Sequence, residues 1–193
     1  MTQEEKSKGI GSHPEPVCDE TEEVKEVYAY FGLAVYAAQC LEHGLVNAMV
    51  CLRLIPERRS KVSTVSEWEK EVDAFYDNEF RKTLGQMVSA FRQYVEMPAD
   101  LIAGLTNALE IRNWLSHRYF RERAEDFMFP EGRKKMLVEL LSSAETIRAT
   151  DRQLESFIAP LLQKYRITQE LLDEMRSQML KNKAAEFAKD FNI

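Results

Sequence analysis

Cysteine, histidine, glycine and proline are all scarce in this chain of 193 residues, and each scarcity excludes something. Cys18, Cys40 and Cys51 form an odd set with no CxxC spacing, so neither a disulfide framework nor a thiolate zinc site is expected. Cys40 and Cys51 fall in an apolar helical run, which suits buried thiols in a reducing cytoplasm. The three histidines, His13, His43 and His117, show no metal-ligand pairing, so no metal and no cofactor are expected. Seven glycines and six prolines are few for a chain of many turns, and no segment shows the short β-branched alternation of a strand. The abundant Leu, Ala, Glu, Lys, Arg and Met favour helix, and the expected class is all-α. The acidic, polar N-terminus does not read as a leader peptide. A long apolar stretch, Val27–Ile55, is interrupted by Gln39, Glu42, His43, Asn47 and Arg53 and reads as a buried helix rather than a membrane span.

The net charge of −6 is unevenly spread. Residues 1–26 hold eight acids against three lysines, which leaves 23 basic against 24 acidic residues in the rest. Stretch 112–135 holds seven basic residues (Arg112, Arg118, Arg121, Arg123, Arg133, Lys134, Lys135) against four acids. Such a patch can attract phosphate even on an acidic protein, or it can be a solvated helix end.

Along the chain, Gly9, Gly11, Pro14 and Pro16 among charges mark 1–19 as a disordered acidic tail. A bundle follows over 20–165, and 166–193 forms a separate last helix. The first helix is expected from Thr21 to Leu54, ending before Pro56. Its polar residues Tyr36, Gln39, His43 and Asn47 fall on one stripe, which suits an active-site cleft, a partner subunit or, more often, satisfied helix-to-helix hydrogen bonds. Ser66–Glu69 has capping-box form before a second helix that runs to about Val95. Pro98 and Asp100 open a third helix. Pro130 opens a long fourth helix with an apolar phase broken at Asp151, and Pro160 should bend or divide it. Thr168 caps the last. The expected architecture is an up-and-down bundle of four to five helices.

The segment Glu110-Ile111-Arg112-Asn113-Trp114-Leu115-Ser116-His117-Arg118-Tyr119-Phe120 carries the chemistry. Histidine can move protons near neutral pH, and arginine stays charged and matches two phosphate oxygens at once. Arg112 and His117 are five apart, about 140° on a regular helix, whereas Asn113 and His117 share a face. The spacing therefore needs either a helix that ends near Ser116 or a site shared between two subunits. Trp114, Tyr119 and Phe120 suit core or interface aromatics as well as base-stacking platforms. No paired-aromatic base-reading signature is present.

The pattern of arginine, asparagine, three residues, histidine, one residue, tyrosine resembles the active-site motif of the HEPN superfamily. Residues 110–120 match individually, and the bundle over about 25–165 matches in outline. The resemblance implies a metal-independent endoribonuclease acting on RNA as a cytoplasmic homodimer, a toxin or defence effector whose paired motifs form one cleft. It implies His117 as general base or acid, Arg112 as the phosphate-binding cation and Asn113 as an orienting group. Arg118, Arg121 and Arg123 are candidate RNA contacts. Tyr119 sits where some HEPN toxins carry a tyrosine that a nucleotidyltransferase antitoxin modifies. The alternative is a HEPN-like helical module that binds RNA or protein without cutting.

Overall fold

The computed structural model describes residues 22–190, and every regular element in that range is helical. The expected tail over 1–19 lies outside the described residues. Helix α1 spans Glu22–Met49 and passes without a break through a π-turn, Val50–Leu54, into a short α2, Ile55–Arg58. The helical path therefore does not end before Pro56. The Ile55 amide reaches back five residues to the Val50 carbonyl, and Pro56 falls at the start of the next turn, where an amide proton has no partner to lose.

The segment expected as one second helix is two, α3 (Val65–Glu79) and α4 (Leu84–Phe91). Thr64, not Ser66, caps α3: its hydroxyl accepts from the Glu67 amide at 3.2 Å, and the Glu67 carboxylate accepts from the Ser63 and Thr64 amides. Those two amides hold the Glu67 carboxyl below its usual range. A second capping box, Thr83 with Gln86, starts α4. Between them Glu79, 1% exposed, is ion-paired to Arg53 at 3.2 Å and Lys82 at 2.6 Å. The chain turns over that buried carboxylate.

Helix α5 runs Ala99–His117, followed by the short α6 (Tyr119–Glu122) and α7 (Ala124–Met128), then the long α8 (Pro130–Lys164). Pro160 lies inside α8 without dividing it. Helix α8 ends in a Schellman turn: the Ile167 amide donates to Leu162 O and the Arg166 amide to Gln163 O, both at 2.9 Å, with Arg166 at φ 59°. Thr168 caps α9 (Gln169–Asp190), whose side chains over 169–188 are all exposed.

Contacts give the directions. Tyr76 donates to Asn47, and Phe80 stacks on His43, so α3 runs antiparallel to α1. Helix α5 is antiparallel to α1 and to α8: Arg112 meets Glu42 and Gly104 closely approaches Thr150 and Gln153, while Leu115, farther along α5, clusters with the earlier Ala34 of α1 and Leu140 of α8. Helices α1 and α8 are parallel: Glu23 pairs with Arg133, and Gly44 faces Asp151 and Leu154. One core cluster centres on Leu41, Leu45, Phe91, Leu105, Ile147 and Leu154. A second, around Val27, Leu115, Tyr119, Met136 and Leu140, fills the end where α5 meets the start of α8. The motif sits on that second cluster.

Candidate functional site

Helix α5 is regular from Ala99 to His117, and the Arg118 amide still donates to Trp114 O at 2.9 Å. Around this helix Arg112 points toward α1, Asn113 lies between it and His117, and Trp114 turns toward α8. Asn113 and His117 are exposed; Arg112 is half-buried. The Arg112 Nε lies 3.3 Å from Glu42 Oε1, and its Nη1 donates to Asn113 Oδ1 at 3.3 Å. The arginine head is thus tied to the residue that shares a face with His117. A small cleft of about 160 Å³ runs beside it, lined by Val35, Ala38, Gln39, Glu42, Arg112, Leu115 and Ser116. Among the described residues no hydrogen bond or ion pair engages His117 or Glu110. A histidine that is exposed and unpartnered contributes nothing visible to the fold.

Other residues singled out from the sequence have structural duties instead. Tyr119 is 0% exposed, its hydroxyl donates to Met136 O at 3.3 Å, and its ring packs edge-on against Trp114 and Phe120. Burial, with Glu139 nearby, pushes its phenol above the ordinary range. The hydroxyl of Tyr119, expected as a possible site of nucleotidyl modification, is enclosed in this structure. Arg123, expected as a candidate RNA contact, is engaged within the fold. It grips Glu139 with two bonds of 2.8 and 2.6 Å and lies over the Trp114 ring, 5.4 Å from its centroid. That carboxylate strengthens the guanidinium's hold on its proton. Glu122 accepts from the Trp114 indole at 2.8 Å, so Trp114 is braced on several sides rather than offered as a platform. Arg133, 9% exposed, is bound to Glu23 and to Phe127 O.

The basic patch therefore shrinks. Arg118 is exposed and loosely paired with Glu122 at 3.8 Å, while Arg121, Lys134 and Lys135 are exposed with no ion pair among the described residues. The polar stripe of α1 also divides by role. Asn47 accepts from Tyr76 and His43 packs on Phe80, which are helix-to-helix contacts, while Gln39 lines the Arg112 cleft. Tyr36 is exposed, its phenol raised by the neighbouring Cys40 thiol.

Glu42 was not legible as a site residue, although its setting was a signal. A carboxylate in the middle of an apolar helix needs a cation, and only residues brought by another helix can supply one. Among the described residues no cluster of three or more His, Cys, Asp or Glu side chains could hold a metal ion, and no helix is long and apolar enough to cross a membrane. No family model, curated protein or solved structure matches the chain.

Proposed function

We propose that this protein is a metal-independent endoribonuclease of the HEPN type, working as a cytoplasmic homodimer in a toxin or defence role. The observation that carries the reading is the arc Arg112–Asn113–His117 at the end of α5, with the arginine tied to Asn113 and the histidine left exposed and unpartnered. In this reaction the ribose 2′-oxygen attacks phosphorus and the 5′-oxygen leaves. His117 takes the 2′-hydroxyl proton or returns one to the 5′-oxygen, and Arg112 offsets the charge that builds on the non-bridging oxygens. Asn113 orients the arginine or the phosphate.

Because Arg112 and His117 are about 140° apart on a regular helix, one chain meets the substrate from two directions. A second copy facing this end would complete the cleft, with Arg118, Arg121, Lys134 and Lys135 drawing in the RNA backbone. Tyr119 has no part in the reading, since its hydroxyl is enclosed. The Arg112–Glu42 ion pair favours a second reading, a module that binds RNA or protein without cutting, because the pair occupies part of the cation.

The test is cleavage of a 5′-labelled tRNA and mRNA mixture in EDTA. Products ending in 2′,3′-cyclic phosphate are expected, with His117→Ala lowering the rate by about 10²–10⁴-fold. Its stability should stay within about 0.5 kcal/mol of wild type, since the side chain is exposed. No cleavage by a folded wild-type protein across many RNAs would transfer the case to the binding module.

A further inference from the structure

No side chain of helix α9 is buried from Gln169 to Ala188. A helix standing alone in water is marginal, because most helical stability in proteins comes from packing an apolar face. Helix α9 has such a face. Leu171, Leu172, Met175 and Met179 fall within an arc of about 100° around its axis. Met175 is 55% exposed and Met179 70%, so this stripe is not covered by the bundle of its own chain. The helix starts at the end of α8 remote from the Arg112–His117 arc, so the stripe is no part of that site.

The charges beside the stripe say what fits it. Every charged residue from Gln169 to Met175 is acidic: Glu170, Asp173 and Glu174. From Arg176 to Ala188 stand Arg176, Lys181 and Lys183, with Glu186 the one acid among them. Lys183 is held by Glu186 at 2.8 Å, whereas Glu174 and Lys181 have no ion pair among the described residues. A second α9 laid alongside in the same direction would set acids against acids. Laid in the reverse direction, it sets the acidic part of each helix against the basic part of the other, with opposed macrodipoles. A surface complementary to its own reversed copy is what a two-fold contact requires.

We infer that α9 is a self-association surface, pairing antiparallel with α9 of a second copy about a two-fold axis near Met175. Met175 then meets its counterpart, and Leu171 of each helix meets Met179 of the other. This contact is separate from the copy proposed above to complete the cleft, and it does not rest on the ribonuclease reading.

The experiment uses the full chain. Sedimentation equilibrium should show self-association that Met175→Asp weakens by at least about tenfold, because the variant places a charge in the middle of the apolar contact. The bundle should melt as in wild type, since the side chain is exposed. Reversing the bases (Arg176→Glu, Lys181→Glu, Lys183→Glu) should also weaken association. Mixing that variant with one whose acids are reversed (Glu170→Lys, Asp173→Lys, Glu174→Lys) should restore it. Orientation is read by disulfide trapping, scored above the background from Cys18, Cys40 and Cys51. Met175→Cys should cross-link copy to copy. Gln169→Cys should not, because the two-fold axis sets those residues about 18 Å apart along the helices. Equal trapping at both positions would mean parallel pairing and overturn the inference. Trapping at neither, or association unchanged by Met175→Asp, would remove the contact altogether.

Discussion

Replacing Tyr119 by phenylalanine tests whether this side chain belongs to the fold or to regulation. The phenol is fully buried, and its hydroxyl donates to Met136 O inside α8 at 3.3 Å, with the Glu139 carboxylate beside it. A neutral hydrogen bond contributes about 1 kcal/mol net, and this one is at the long end of the useful range. The helical carbonyl keeps its own amide partner, so no acceptor is stranded by the change. Ring packing against Trp114, Phe31 and Phe120 is retained. The expected loss is therefore about 0.5–1 kcal/mol, a fall of roughly 1–4 °C in Tm for a domain of this size. Urea denaturation followed by far-UV circular dichroism would measure it, with unchanged m-value. On the proposed ribonuclease reading, RNA cleavage should stay within about twofold of wild type, because the enclosed hydroxyl lies apart from the Arg112–Asn113–His117 arc. A variant as stable as wild type that also escapes silencing by a co-expressed nucleotidyltransferase would refute the assignment of Tyr119 to the core.

Two further outcomes follow from local geometry. Arg166→Gly should stabilise the chain by about 1 kcal/mol, since a left-handed φ of 59° is costly for any residue with a Cβ, and thermal melts would show it. Asp151 is half-buried against Gly44 in the α1–α8 contact, and burial raises its carboxyl pKa, with Glu155 adding to the effect. The folded state therefore binds that proton more tightly than the unfolded chain, and stability falls as pH rises from the unfolded value of about 3.9 through the raised folded one. Asp151→Asn should raise Tm at pH 7, and the gain should vanish below about pH 4, where the aspartate is already protonated.

How far the sequence could be read depended on whether a signal was local. The helical class, the regular α5 ending at the motif, Pro130 at the start of α8 and Thr168 as the last cap all rest on neighbours within four residues. The division of α3 from α4 was equally local, since Thr83 and Gln86 repeat the capping-box spacing, but the apolar phase through Phe80 and Leu84 masked it. Pairings across helices were out of reach. Nothing near Arg123 announces Glu139, sixteen residues on, and nothing near Arg112 announces Glu42. Counting charges in 112–135 treated every arginine as available, whereas Arg123 and Arg133 are committed to partners brought by folding.

Between Val50 and Leu54 the first helix holds one residue more than an α-helical turn needs, and this makes length there equivalent to rotation. Before the turn the helix presents Glu42 to α5 and Gly44 to α8; within it, Arg53 is presented to α3, where it meets Glu79 and lies over Phe75. The turn works as a phase shifter between two sets of neighbours. Rewinding these residues into regular α geometry at unchanged length would swing everything downstream by about 100°. Arg53 would leave a carboxylate that is 1% exposed, with only Lys82 to hold it. A change in the winding of one turn is at this point a change in which helix the chain addresses.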